Sequence, residues 1–350
     1  MGTVSTKPFI AARIEEFIDS RTEALFRALG WREHVVAYTG YGSPDFVRVL
    51  ARVVLRPQWT RSQLGRATKE FVKRRGWRNF LTAPCVRVPV TITIGDRTLQ
   101  VLSDRGGYLD HRITQHDLEP GWRTLTLQTH DSAPVTSEVL VIDHDADFGL
   151  VSDIDDTVLT TWLPRPMIAA WNSFVRDESN RQSIPGMARL YHRYLAAHDG
   201  APMVYLSTGA WNTYDFLNRF LKRHNYPKGP LLLTDWGPTN TGWFRSGMEH
   251  KRTSLLRLAA EFPGMSWLLV GDDGQHDPEI YAEFARSHPG HVAAVAIRQL
   301  SATEQVLAHG TNVPLEENAD QALGDRADGT WVEAPDGRGL AAQLGPVLGA

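Results

Sequence analysis

Five consecutive residues, Asp153-Ile154-Asp155-Asp156-Thr157, carry three carboxylates directly after the apolar run Phe148-Gly149-Leu150-Val151-Ser152. The apolar run reads as a short buried strand, so the carboxylates crowd at its C-terminal end. There they repel one another, and burying any of them is costly. A fold tolerates such crowding where a divalent cation neutralises it, and strand ends of this kind line the ligand crevice of α/β sheets. The run points to Mg²⁺ and phosphate chemistry.

Three further polar signals follow predicted strands. Ser207-Thr208-Gly209 comes directly after Val204-Tyr205-Leu206, and His250-Lys251 opens a helix after the strand Leu231-Leu232-Leu233. Gly271-Asp272-Asp273-Gly274-Gln275-His276-Asp277 follows the apolar residues 267–270. In a parallel sheet these ends converge on one crevice. Phosphoryl transfer needs this inventory, because a phosphate dianion repels an anionic nucleophile unless cations mask its oxygens. Mg²⁺ would sit among Asp153, Asp272 and a backbone carbonyl, Lys251 would add fixed positive charge, and Ser207 would hold phosphoryl oxygens. Asp155 lies two residues beyond Asp153, so on an extended segment both side chains reach one face.

Taken singly, each signal has a plainer reading. Ser207 reads as a helix cap, Lys251 as a solvated helix residue, and the 271–274 segment as a turn. Their order, each beside a strand end, is what makes them a site. Other patterns fail. Asp143, Asp145 and Asp147 mimic a calcium loop, but Phe148 replaces its Gly and Ile154 its final Glu. Ser207 lacks the first Gly of a nucleophile elbow. The thirteen histidines show no paired metal spacing on one helix, and the lone cysteine, Cys85, excludes a disulfide framework and a cysteine-based zinc site.

The elements that must position these residues show in the hydropathy pattern. Phe9, Ile10, Ile14, Phe17, Ile18, Leu25 and Phe26 recur at helical spacing, which predicts a helix over 8–30. The period then changes: Val47, Val49, Ala51, Val53 and Leu55 alternate, as do Val86, Val88, Val90, Ile92 and Ile94. With further strands at Leu99 and Val101, 125–127 and 139–141, residues 33–143 read as an all-β domain, most simply a sandwich. Buried apolar runs at 148–152, 203–206, 231–233, 267–270 and 292–297 then alternate with helices at 186–198, 213–224, 250–261 and 278–287, which predicts an open, mostly parallel sheet. The tail from 310 reads as a loose extension with a short final helix.

On these motifs the chain resembles the haloacid dehalogenase superfamily of aspartate-nucleophile phosphatases. Val151-Ser152-Asp153-Ile154-Asp155-Asp156-Thr157, Tyr205-Leu206-Ser207, Gly229-Pro230-Leu231-Leu232-Leu233, His250-Lys251 and the run from Gly271 through Asp277-Pro278-Glu279-Ile280-Tyr281 are similar to the catalytic domain of the fungal actin-patch-associated phosphatidate phosphatases and their bacterial relatives, distantly related to lipins. The resemblance, which covers roughly residues 145–300, implies an α/β, three-layer Rossmann-like haloacid dehalogenase fold, and the hydropathy pattern sets before it an N-terminal helix (1–32) and a sandwich-like domain (33–144). The catalytic domain would span 145–305, with a C-terminal extension at 306–350. It implies that Asp153 is the nucleophile and that Asp155 protonates the leaving alkoxide, then activates water. It implies that Ser207 and Lys251 bind the phosphoryl group, with Asp153, Asp155 and Asp272 toward Mg²⁺. Asp277 would reach the metal or orient Lys251, Thr157 would fix the turn, and Asp273 stands where a small polar residue is expected. The implied reaction is hydrolysis of phosphatidate to diacylglycerol and phosphate. The alternatives are a phosphatase for a soluble sugar or nucleotide phosphate and a non-catalytic phospholipid-binding protein. Asp155 speaks against the latter, since a binder needs no acid/base there.

Composition bounds the partners. At 350 residues, 42% hydrophobic and 22% charged, the chain suits a globular protein of two domains, and its net charge of −3 argues against general nucleic-acid binding. Residues 1–20 lack an uninterrupted apolar core, so no signal peptide is expected, and the single cysteine, Cys85, points to a reducing, cytoplasmic setting. Met1-Gly2-Thr3-Val4-Ser5-Thr6 fits the permissive N-myristoylation pattern, but the residues after it read as an ordinary amphipathic helix. Trp162, Pro164, Pro166, Trp171, Trp211, Trp236 and Trp243 would rim the crevice, where contact with acyl chains competes with ordinary packing, the favoured reading. Arg52, Arg56, Arg61, Arg66, Lys69, Lys73, Arg74, Arg75 and Arg78 form a basic stretch. A solvated face is the leading reading for it, and peripheral contact with an anionic membrane the alternative.

Overall fold

The computed structural model describes residues 25–57, 83–160, 181–234, 247–309 and 330–348. The described residues up to 139, apart from Gly42–Pro44, form one compact unit, and those from Leu140 onward form another. Of the helix expected over 8–30, all but its last residues lies outside the described residues, and the chain is helical at 25–28.

The first region is mainly strands: β1 (Trp31–Ser43), β2 (Phe46–Pro57), β3 (Ala83–Pro84), β4 (Pro89–Ile94), β5 (Arg97–Leu102), β6 (Tyr108–Ile113), β7 (Gly121–Gln128) and β8 (Val135–Val141). The alternation in β4 buries Val90, Ile92 and Ile94, as the period-two pattern requires. In β2 the alternation breaks down, because Leu50 and Val54 are buried together with Val49, Val53 and Leu55. The expected sandwich is therefore corrected. A sandwich needs two packed sheets, whereas these strands form one eight-stranded sheet in the order β3-β2-β1-β8-β7-β4-β5, with β6 on β2. The sheet is mixed and curls until β5, at one end, approaches β6, which makes it nearly closed and barrel-like. Residues on both faces of β2 are buried, so its pattern loses the simple period.

The second region alternates strands and helices: β9 (Phe148–Ser152), α1 (Met187–Ala197), β10 (Met203–Ala210), α2 (Tyr214–Arg223), β11 (Leu231–Thr234), α3 (Gly247–Glu261), β12 (Ser266–Asp272), α4 (Asp277–Ser287), β13 (Val292–Arg298), α5 (Ala302–His309), β14 (Trp331–Ala334) and α6 (Gly337–Leu348). The strands lie in the order β11-β10-β9-β12-β13-β14, and every pairing is parallel. Continuous apolar runs suit strands buried on both faces, and β9 and β11 are buried at every residue. The haloacid dehalogenase fold implied by the resemblance is not established by this architecture. What is observed is a wholly parallel six-stranded sheet whose last strand and helix come from the tail read as loose. Strand order reverses beside β9, and in parallel sheets ligands bind at the strand ends beside such a reversal. No helix among the described residues is long and apolar enough to cross a membrane.

Candidate active site

Register places the chemistry. Val151 and Ser152 of β9 pair with Leu269 and Val270 of β12, so Asp153 and Asp272 leave neighbouring strands at nearly the same height. The Asp153 N–H donates to the Val270 carbonyl at 2.9 Å. On the other side of β9, Ser152 pairs with Tyr205 of β10, and Ser207 follows two residues later. Lys251 sits in the first turns of α3, on its buried side with Ser254, Leu255 and Leu258. Asp277 opens α4, where Pro278 suits the first helical turn.

Asp153, Lys251, Asp272 and Asp277 are all buried, with at most 2% of each residue exposed. The Lys251 ammonium lies 2.7 Å from Asp153 Oδ1 and 2.5 Å from Asp277 Oδ1. Asp153 Oδ2 is buried with no hydrogen-bond partner among the described residues. Asp277 Oδ2 accepts the Asp272 N–H at 3.4 Å, and Asp272 Oδ1 accepts the Gly274 N–H at 2.7 Å. Gly271 permits this closeness, since a Cβ there would lie 2.6 Å from Asp277 Oδ2. Thr157 Oγ1 reaches Asp272 Oδ2 at 3.5 Å. Ser207 Oγ donates to Asp155 Oδ2 at 3.0 Å and accepts the Gly209 N–H at 2.9 Å.

Burial is the main force raising the pKa values of Asp153 and Asp272 well above the ordinary carboxylate range. Lys251 pulls the Asp153 value back down, while the neighbouring carboxylates add to the rise. For Lys251, burial opposes the charge, but Asp153, Asp277 and Asp272 outweigh it and hold the ammonium above the ordinary lysine value. A buried carboxylate oxygen without a hydrogen-bond partner among the described residues therefore lies on a residue whose other oxygen holds a fixed cation. Such a site can bind an electron-poor centre and mask anionic charge around it.

Comparison with known proteins places this geometry in a family context. Residues 148–299 match the family model described as "Phosphatidate phosphatase APP1, catalytic domain". The chain resembles that catalytic domain. It is 30% identical over 175 residues to phosphatidate phosphatase APP1 of Saccharomyces cerevisiae, covering 49% of this chain and 29% of that protein. It is 26% identical over 165 residues to an uncharacterized protein of Schizosaccharomyces pombe, covering 47% of this chain and 27% of that one. The chain thus spans less than a third of the length of the curated relatives it matches. A carbohydrate acetylesterase from Xanthomonas citri is 10% identical with a TM-score of 0.27 over 77% of this chain and 70% of that one, a likeness too slight to carry an argument. The matched segment includes every candidate site residue named above.

One carboxylate oxygen from each of Asp153, Asp272 and Asp277 lies within 4.8 Å of the others. Two of these three buried carboxylates, Asp153 and Asp277, share one ammonium, Asp153 Oδ2 has no partner among the described residues, and the ligand atoms are all oxygens. The residues present therefore fit a hard divalent cation. The resemblance points Asp155 toward that metal as well, but the structure sets it against Ser207 and outside this group of three. Asp273 faces away: its Oδ1 accepts the Leu300 N–H at 2.8 Å and the Gln305 amide at 3.0 Å. Burial pushes its pKa up to about 6.

Sequence reasoning missed Arg181. It is half-buried and electrostatically coupled to Asp155 and Asp156, with its guanidinium 5.2 Å from the Phe216 ring centroid. No motif marks it, because it stands 26 residues after Asp155 in an uncharacteristic segment. Of the tryptophans expected around the crevice, only Trp211 is among the described residues, and it is buried. Of the basic stretch only Arg52 and Arg56 are described. Arg52 donates to the Gly106 carbonyl at 3.1 Å and lies over the Tyr108 ring.

Proposed function

We propose that this chain hydrolyses a phosphate monoester through an aspartyl-phosphate on Asp153, with phosphatidate as the favoured substrate. The observation that carries the reading is the setting of Asp153. One of its oxygens lies on the Lys251 ammonium, and the other is buried and without a partner among the described residues, where parallel strand ends meet. A carboxylate nucleophile needs an available oxygen and nearby positive charge to admit a phosphate dianion. Asp153 Oδ2 attacks phosphorus, and the bond to the leaving alkoxide breaks. Asp155, hydrogen-bonded to Ser207, gives the alkoxide its proton. It then takes a proton from the water that cleaves the acyl phosphate. Lys251 and Ser207 hold phosphoryl oxygens, and Asp277 keeps the ammonium in place. Mg²⁺ held by Asp153, Asp272 and Asp277 would neutralise phosphoryl charge. Phosphatidate is favoured because the matched catalytic domain is that of a phosphatidate phosphatase. The basic residues between Arg52 and Arg78 are a separable proposal for contact with an anionic bilayer. Flotation of a variant with those charges neutralised reads it directly, and unchanged vesicle binding would sink it.

The test is phosphate release from phosphatidate, lysophosphatidate, sugar phosphates and nucleotides, with Mg²⁺ and with chelator. Asp153→Asn is expected to bring release to background while the protein stays folded by circular dichroism. Wild-type rates in that variant would remove Asp153 as nucleophile. Release from soluble esters alone would move the substrate assignment away from lipid.

A further inference from the structure

Arg298 ends β13 with only 6% of its surface exposed. Its guanidinium donates in three directions: Nη1 to the Asp156 carbonyl at 2.6 Å, Nη2 to Glu304 Oε1 at 2.7 Å, and Nε to the Pro335 carbonyl at 3.2 Å. Glu304 is itself held by the Ser301 N–H and hydroxyl, each at 2.8 Å. The Arg298 backbone pairs with Asp272, and its carbonyl accepts the Asp273 N–H at 3.0 Å. A planar fork of fixed donors can make all these bonds at once, which a lysine ammonium cannot.

The target of the shortest bond is unusual. Asp156 has φ of 58°, in the left-handed region that a non-glycine residue enters at a cost. Here the chain reverses after Asp153 and Asp155. The Asp156 N–H donates to the Leu159 carbonyl at 2.8 Å, and the N–H groups of Val158 and Leu159 donate to the Ile154 carbonyl at 2.9 and 3.2 Å. The reversal follows directly on Asp153 and Asp155, and Arg298 donates to its carbonyl at Asp156.

We infer that Arg298 is a positioning residue for the aspartate loop. By holding the Asp156 carbonyl it stabilises the left-handed turn, and it ties that turn to β14 and α6, which lie beyond the matched residues 148–299. The inference deepens the phosphatase reading, on which it depends only for its activity readout.

Hydrogen–deuterium exchange and phosphate release on R298Q, R298K, D156G and R298Q/D156G test it. Both Arg298 variants are expected to speed exchange at the Asp156, Val158 and Leu159 amides while β10 and β12 keep their protection. Phosphate release should fall by about tenfold to a hundredfold, in kcat more than in KM, as a misplaced reacting group costs. Glycine adopts positive φ freely, so the double variant should regain loop protection and activity relative to R298Q. Three outcomes would overturn the inference: unchanged loop exchange in R298Q, strictly additive effects in the double variant, or a uniform loss of protection across the sheet. If the wild-type protein releases no phosphate from any ester, the phosphatase reading fails and the exchange data still decide the role of Arg298.

Discussion

In the eight-stranded sheet, Arg48 on β2 reaches Asp110 on β6, and the aspartate side chain stays 41% exposed. In the parallel sheet, the side chains of Lys251, Asp153 and Asp277 are at most 2% exposed. The contrast follows from how the two sheets are covered. In the first region the Asp110 carboxylate keeps much of its contact with water, so its pairing with Arg48 contributes little. The parallel strands carry continuous apolar runs, so the charged cluster sits at their ends, where it is packed away from the surface. A buried ion cluster is costly to form and more costly to break. The lesson is that the same pairing of cation and carboxylate keeps one partner in water in one region and is wholly buried in the other.

This comparison can be broken in order of effect. Lys251→Met leaves Asp153 and Asp277 uncompensated. Urea denaturation should show a loss of about 3 to 5 kcal/mol, with phosphate release gone, and a loss below about 1 kcal/mol would mean that the cluster is hydrated after all. Adding Mg²⁺ to chelator-treated protein should raise stability by roughly 2.7 kcal/mol at a hundredfold excess over Kd. An unmoved melting temperature would leave Lys251 as the only balancing charge. Gly271→Ala puts a methyl group where the Asp277 carboxylate lies. A cost of about 1 to 3 kcal/mol is expected from such overpacking, together with weaker Mg²⁺ binding by calorimetry. Arg48→Ala should cost no more than about 1 kcal/mol and leave phosphate release untouched. A larger loss would erase the contrast between the sheets.

Much of the site was legible before the fold was seen. Five parallel strands announced themselves as apolar runs because burial on both faces removes polar residues from their interiors. Asp153, Ser207 and Asp272 then stood out as the first polar groups at or just beyond those runs. β14 escaped because it has only four residues, among them Glu333, and half of it is not fully buried. Alternation predicts a sandwich for the curled sheet because it reports that a strand has an inner face, not what covers the outer one. Arg181 and Arg298 carried no signal, since an arginine in sequence is most often a solvated residue.

The chain by itself determined which groups could take part: the aspartate run, a hydroxyl, an ammonium and an acidic loop, each tied to a strand end or the helix after it. Only the tertiary structure decided how the carboxylates divide. Asp277 meets Lys251 across 26 residues because the first turn of α4 folds back over the end of β12. Asp155 turns to Ser207, and Asp273 turns away to Leu300. Spacing along a chain sets how far a side chain can reach, but its partner is set by register between strands that are neighbours only in space. That is also why Asp156, without a role on sequence grounds, becomes the handle by which Arg298 holds the loop.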